Sequence, residues 1–141
     1  QLFIQQEALH GREHSAWCDA LHQQGYVELV EMDKEQAELR KWSRKNFSPL
    51  TRLASTAAGE HFTAAIASLL LHSRPDLVED AADPFRTALI YHTLEEVEHK
   101  SVCFDLFLAA GGGYWLRQFG FSRCLRCWQR AALSHVEEEG G

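Results

Sequence analysis

The sequence predicts an all-α protein, an antiparallel bundle of helices. Apolar residues recur at spacings of three and four along most of the 141-residue chain, and no convincing segment alternates with a period of two. Prolines and small polar residues stand where helices would begin, and glycines stand where they would end. The length suits one domain with a sizeable core, so we assign residues 1–136 to a single helical domain and 137–141 to a polar tail.

Five helices are expected along the chain. The first covers about residues 1–24 and is followed by Gly25, a favourable residue for a helix C-terminal cap. The second is mostly polar and runs from about 33 to 45, because Asp33 and Gln36 resemble a capping box. Prolines at the first helical position open the third and fourth helices, and three glycines end the fourth. These last three helices are expected at about 49–72, 84–110 and 114–135.

Composition and charge exclude several classes of function. A net charge of -6 argues against a nucleic-acid partner, because phosphate binding needs a basic surface. The sequence contains no apolar run long enough for a membrane span and no signal-peptide pattern. Four scattered cysteines do not form a secreted disulfide framework, so we expect a cytoplasmic protein. Cys124 and Cys127 form a lone CxxC, a weak zinc signal that more commonly reflects core or interface cysteines.

Three helices carry ionisable residues in the middle of an apolar seam. The buried face of an amphipathic helix is normally apolar throughout. Here only the ends of each seam are apolar, for example Phe85 and Leu106 in the fourth helix. Burying a lone carboxylate costs several kcal/mol, so these groups need a common compensation. A pair of divalent metal ions neutralises several carboxylates together. The ionisable residues are Glu7, His10 and His14 in the first helix, Glu60 in the third, and His92, Glu96 and His99 in the fourth.

Two of these helices contain a Glu-x-x-His motif, Glu7 with His10 and Glu96 with His99. Residues three apart lie on neighbouring turns of one helix face. Ferritin-like di-iron and di-manganese bundles use two such motifs, together with a single Glu from each of two other helices. We therefore predict a ferritin-like bundle that binds two metal ions through Glu7, His10, Glu60, Glu96 and His99. A structural polar network without metal is the alternative.

One carboxylate of that pattern is missing from the sequence. Glu13 and Glu95 are candidate substitutes. The first helix starts without a capping residue and already in helical phase, so we expect an upstream helix to supply the fourth Glu.

Three further histidines have less definite roles. His14 and His92 are either direct ligands or groups that orient a ligand. His61 follows Glu60 but points about 100° away from it around the helix, which favours a supporting role.

Three segments carry a family resemblance. Residues 3–14 match the pattern F-x-x-Q-E-x-x-H-x-x-x-H, and residues 59–63 and 92–100 are similar to two further blocks in the same order. Together they resemble the bacterial predicted metal-dependent hydrolase family, from residue 1 to about 117. The family has an additional upstream block containing Gly-Glu, which is absent here. The name of the family implies metal-dependent hydrolysis, although the helical ligand arrangement looks more like that of ferritin-like oxidases and oxygenases.

These observations lead to a metal-dependent enzyme with a dinuclear Glu/His site and an unknown small-molecule substrate. Mixed carboxylate and imidazole ligands favour iron, with manganese and zinc as alternatives. A di-iron oxidase or oxygenase and a non-catalytic metal-binding helical protein are the competing functions. The last helix carries aromatic residues such as Trp115 and Phe119 beside a basic flank that includes Arg117. We expect the protein to form a homodimer through this helix, and closure of the core by these aromatic residues within one chain is the alternative.

Overall fold

The computed structural model describes the backbone of residues 2–83 and 85–138. Two compact units divide the chain, an N-terminal unit over Gln1–Asn46 and a C-terminal unit over Phe47–Gly141. Every regular element in the described ranges is a helix, which confirms the all-α prediction. No helix within these ranges is long and apolar enough to span a membrane. The six helices described are α1 Leu2–Gln23, α2 Glu28–Asn46, α3 Pro49–His72, α4 Pro75–Glu79, α5 Phe85–Ala109 and α6 Tyr114–Glu138.

The N-terminal unit contains α1 and α2, joined by a tight turn at Gly25. The Gly25 backbone has φ 102°, in the left-handed region that a residue without a Cβ adopts at little cost. The Gly25 N–H donates to the His22 carbonyl at 2.9 Å, and the Tyr26 N–H donates to the Leu21 carbonyl at 3.2 Å. This pair of bonds is a Schellman motif, so the predicted glycine cap is confirmed.

The second helix begins earlier than the sequence predicted. It starts at Glu28, and Asp33 therefore lies inside the helix and does not cap it. The turn at Gly25 leads directly into the helix, since the Val30 N–H already donates to the Val27 carbonyl at 3.1 Å. Glu28 in the first turn also complements the positive end of the helix dipole.

In the C-terminal unit, α3 begins as predicted. The Ser48 hydroxyl oxygen accepts a hydrogen bond from the Thr51 N–H at 3.2 Å, and Pro49 occupies the first helical turn. The helix ends at His72, and Pro75 opens the short helix α4, which the sequence analysis had not predicted. A proline that ends one helix is equally suited to start the next, because the first turn needs no N–H donor from it. Val78 of α4 is buried.

The fourth predicted helix corresponds to α5, and its glycine-rich end behaves as expected. Gly111 has φ 86°, its N–H donates to the Leu108 carbonyl at 3.0 Å, and the Gly112 N–H donates to the Phe107 carbonyl at 2.9 Å. This second Schellman motif terminates α5 before α6 begins. Pro84, which was expected to open the helix, lies outside the described residues.

Helix α3 packs against both α5 and α6, because one side of it is made of small residues. The buried residues of α3 are Ala54, Ala57, Ala58, Ala64 and Ala67. Gly120 of α6 approaches α3 so closely that a Cβ at this position would stand 2.6 Å from the Ala54 backbone. The absence of large side chains at this contact therefore sets the distance between the two helices.

The apolar ends of the α5 seam differ from the prediction. Phe85 and Leu106 are 49% and 54% exposed, whereas Phe107 is 1% exposed and is the largest fully buried apolar side chain among the described residues. Leu106 and Phe107 lie three and four positions after Cys103, and both spacings place a residue on the same helix face. The spacing alone therefore did not show which of the two side chains is buried.

Candidate metal centre

Helices α3 and α5 bring three of the predicted ligands together. Glu60 lies on α3, while Glu96 and His99 lie on neighbouring turns of α5. One ligand atom from each side chain lies within 4.8 Å of the others. The His99 Nδ1 is 4.0 Å from the Glu60 Oε2. These three residues form what we call the Glu60 cluster.

The Glu60 cluster lies largely away from solvent. His99 is 1% exposed and Glu96 is 8% exposed, and the Glu60 side chain retains 19% of its accessible surface. Two carboxylates in such an environment are costly unless a cation or hydrogen bonds offset their charge. The small residues Ala57 and Ala64, one turn before and one turn after Glu60, are both buried and let α3 come close to its neighbours.

The donor set fits a divalent metal ion. Carboxylate oxygens and imidazole nitrogens bind zinc, iron and manganese, and catalytic zinc sites commonly use three protein ligands and leave a position open. Two donors that are each about 2.1 Å from one ion lie at most about 4.2 Å apart. The 4.0 Å between the Glu60 Oε2 and the His99 Nδ1 falls within that limit, and a Glu96 carboxylate oxygen lies within 4.8 Å of both donors.

His92 lies one turn before Glu96 on α5, and its imidazole lies near that carboxylate. The His92 Nε2 is 3.7 Å from the Glu96 Oε1, and the His92 side chain is 14% exposed. Groups that hold a ligand carboxylate in this way improve metal affinity because they fix its orientation. This distance is compatible with both roles that the sequence left open for His92, a direct ligand or a group that orients Glu96.

Glu95 and His61 lie outside the Glu60 cluster. Glu95 is buried, but it lies about 100° around α5 from Glu96, because consecutive residues of an α-helix are separated by that angle. His61 is exposed, in agreement with its expected position about 100° away from Glu60.

In the N-terminal unit, the structure pairs two of the predicted histidines. The Nε2 atoms of His10 and His14 are 2.9 Å apart, and the two rings stack with centroids at 4.8 Å. His10 is buried and His14 is exposed, while Glu7 and Glu13 are intermediate. Two imidazole nitrogens at this distance either share one proton in a hydrogen bond or face a common cation. A role for Glu7, His10 and Glu13 as ligands stays a prediction.

Lys100 and Arg117 line a cleft of the C-terminal unit. The sequence had assigned no role to Lys100 and had placed Arg117 only in the basic flank of the last helix. The sequence contained one indication that Lys100 lies near the candidate site. It directly follows the predicted ligand His99 and therefore lies on the adjacent face of the same helix.

The fold and the Glu60 cluster define an all-α protein with a buried carboxylate–imidazole group suited to a divalent metal. The sequence profile of the predicted metal-dependent hydrolase family matches residues 1–134, and the chain belongs to that family. This match confirms the resemblance found in the sequence. No curated protein and no solved structure was found to be similar to the chain.

Proposed function

We propose that this protein is a metal-dependent hydrolase in which Glu60, Glu96 and His99 hold a divalent metal ion and which acts on a small molecule. The observation that carries the proposal is the meeting of two carboxylates and one imidazole within 4.8 Å in a largely buried position. Membership of the predicted metal-dependent hydrolase family supports the same reaction class.

A divalent metal, when bound, supplies Lewis-acid polarisation of a substrate carbonyl or phosphoryl oxygen and lowers the pKa of water. The protein's own contribution is to present the donors in fixed positions. Glu60 and Glu96 bring negative charge that offsets the cation, and His99 contributes a neutral donor. His92, beside Glu96, restricts the rotation of that carboxylate. Burial of His99 and Glu96 keeps water from competing for the donors.

We further propose that the centre is dinuclear, with iron as the favoured metal. This part of the proposal rests on the second Glu-x-x-His motif, Glu7 with His10, and on the ligand pattern of ferritin-like bundles. His14, which pairs with His10, is a candidate for an additional ligand. The homodimer predicted from the aromatic residues of the last helix is retained as a proposal.

Dioxygen chemistry is the competing function, because ferritin-like oxidases and oxygenases use the same type of ligand set. An experiment can distinguish the two reactions. A hydrolase turns over its substrate without oxygen, whereas a di-iron oxidase loaded with ferrous iron consumes dioxygen.

Metal analysis of three proteins tests the proposal. The wild type, Glu96→Gln and the matched control Glu98→Gln are each loaded with ferrous iron, manganese or zinc and freed of excess metal. Glu98 is exposed on the same helix, so its substitution makes the same chemical change away from the cluster. We expect stoichiometric metal in the wild type and the control and loss of metal in Glu96→Gln. Hydrolysis of nitrophenyl esters and phosphates under nitrogen should follow the metal content.

Two results would overturn the proposal. The first is a wild type that retains no stoichiometric metal under any loading condition. The second is a folded Glu96→Gln variant that retains as much metal as the wild type. Thermal unfolding of each variant establishes that the fold is intact.

A further inference from the structure

A cleft of about 750 Å³ lies among α3, α5 and α6 in the C-terminal unit. Its walls include the apolar side chains of Val97, Phe104 and Phe121. Lys100 and Arg117 also line it, together with the carboxylate of Asp105. The volume is in the range of small-molecule sites, which are about 300–1,000 Å³, mostly apolar, and fitted with a few polar groups that orient the ligand.

The cleft is separate from the Glu60 cluster. Its lining residues His61, Val97 and Lys100 each directly follow one of the three clustered donors in the sequence. Consecutive residues of an α-helix point about 100° apart, so α3 and α5 present the donors on one face and the cleft residues on the adjacent face. The two sites therefore share helices but no side chain.

The charge of the cleft is opposite to that of the whole chain. The chain carries a net charge of -6, whereas the cleft has two basic residues, Lys100 and Arg117, and a single carboxylate. The Arg117 guanidinium lies 5.7 Å from the centroid of the Phe104 ring and 5.6 Å from that of Tyr114. These cation–π contacts restrict the arginine side chain before any ligand arrives. A pre-oriented guanidinium matches the two oxygens of a carboxylate.

We propose that the cleft binds a small amphiphilic carboxylate, independently of the metal. The carboxylate head contacts Arg117 and Lys100, and the apolar body lies against Val97, Phe104 and Phe121. An inorganic anion gains only the charged contacts, and a neutral amphiphile gains only the apolar ones. The cleft therefore discriminates for a ligand that carries both parts.

Calorimetric titration of the full chain tests the proposal, with decanoate as the probe and decanol and inorganic phosphate as comparison ligands. We expect decanoate to bind at least tenfold more tightly than either comparison ligand. Arg117→Gln should weaken decanoate binding at least tenfold, because it removes the charged partner. Ser101→Trp, which places a large side chain in the cleft at an exposed lining position, should abolish it.

Two control variants keep the test specific. Arg126→Gln makes the same charge change nine residues further along α6, half a turn around the helix from Arg117, and should bind decanoate like the wild type. Glu96→Gln should also bind it normally, whether or not it retains metal. Unchanged binding in both folded cleft variants refutes the site, as does equal binding of decanol. Loss of binding in Glu96→Gln would instead place the ligand at the metal donors and refute the separate cleft site, without deciding whether the protein is a hydrolase.

Discussion

The N-terminal and C-terminal units carry the same Glu-x-x-His motif in different surroundings. In the N-terminal unit, the motif residue His10 is buried but Glu7 is only partly buried, Ile4 and Leu9 of α1 are 71% and 52% exposed, and no described side chain of α2 is buried. In the C-terminal unit, the motif residues Glu96 and His99 are buried, and α3 supplies a third donor within reach. The motif therefore sets the spacing of two candidate ligands along one helix, while a closely packed second helix brings a third candidate donor within reach.

The difference has a physical origin in residue size. Helix α3 has small residues on the side that meets its neighbours, so α5 and α6 pack closely against it. Close packing lowers the local dielectric constant and strengthens the interaction of carboxylates with a cation. The surface of α1 offers no comparable row of buried alanines among its described residues.

The largest expected effect compares the two motifs through their glutamates. Glu96→Gln should reduce metal affinity at least a hundredfold, because it removes one of the two carboxylates that meet His99. Glu7→Gln should lower the bound metal from about two ions to about one. Elemental analysis after equilibrium dialysis measures both. Equal losses of bound metal in the two variants would show that the two motifs contribute equally to metal binding, which would contradict the comparison.

Core truncation should also separate the units. Phe107→Ala should destabilise the protein by about 3–5 kcal/mol, because this side chain is fully buried and its loss leaves a cavity. Leu9→Ala should cost less than about 1 kcal/mol, since Leu9 is half exposed. Urea unfolding monitored by circular dichroism gives both values. A cost at Leu9 as large as that at Phe107 would contradict the comparison.

Glycine substitutions should have opposite signs in the two units. Gly120→Ala should destabilise by about 1–3 kcal/mol, because the new Cβ would meet the Ala54 backbone at 2.6 Å. Gly11→Ala should stabilise by up to about 1 kcal/mol, since no described atom outside its own helix segment lies within 4 Å of the new Cβ and alanine favours the helix. Thermal unfolding measures both shifts. A stabilising Gly120→Ala would show that α6 does not approach α3 so closely.

The smallest expected effect concerns a solvent-exposed ion pair at the start of α4. Arg74 donates two hydrogen bonds to Asp76 from Nε and one from Nη2, the shortest at 2.8 Å, and this contact lowers the pKa of the Asp76 carboxyl. A lowered pKa means that the stabilisation is present above the ordinary aspartate pKa and is lost as pH falls through the lowered value. The melting temperature of Asp76→Asn should therefore fall slightly below that of the wild type at pH 7. The difference should shrink towards pH 3, and a difference that grows on acidification would contradict the assigned sign.

Part of the candidate site was predictable from the sequence because charge in an apolar seam is a local anomaly. Glu60, Glu96 and His99 were selected in this way, and the structure brings them together. The seam did not specify its own ends, as Leu106 and Phe107 show, because spacings of three and four both lie on one helix face. The cleft around Arg117 was not predicted, since its charged and apolar residues come from three helices and form no pattern along any one of them.

The sequence by itself determined the helical class and several helix ends, and it selected the candidate donors that the structure brings together. Gly25, Ser48 and Gly111 set those ends through hydrogen bonds that span at most five residues, so their effect is readable without the rest of the molecule. Tertiary structure alone decided that Phe107 and not Leu106 is buried and that Glu60 lies 4.0 Å from His99. These outcomes depend on how residues distant along the chain fill space together, and packing of that kind leaves no signature within a short segment.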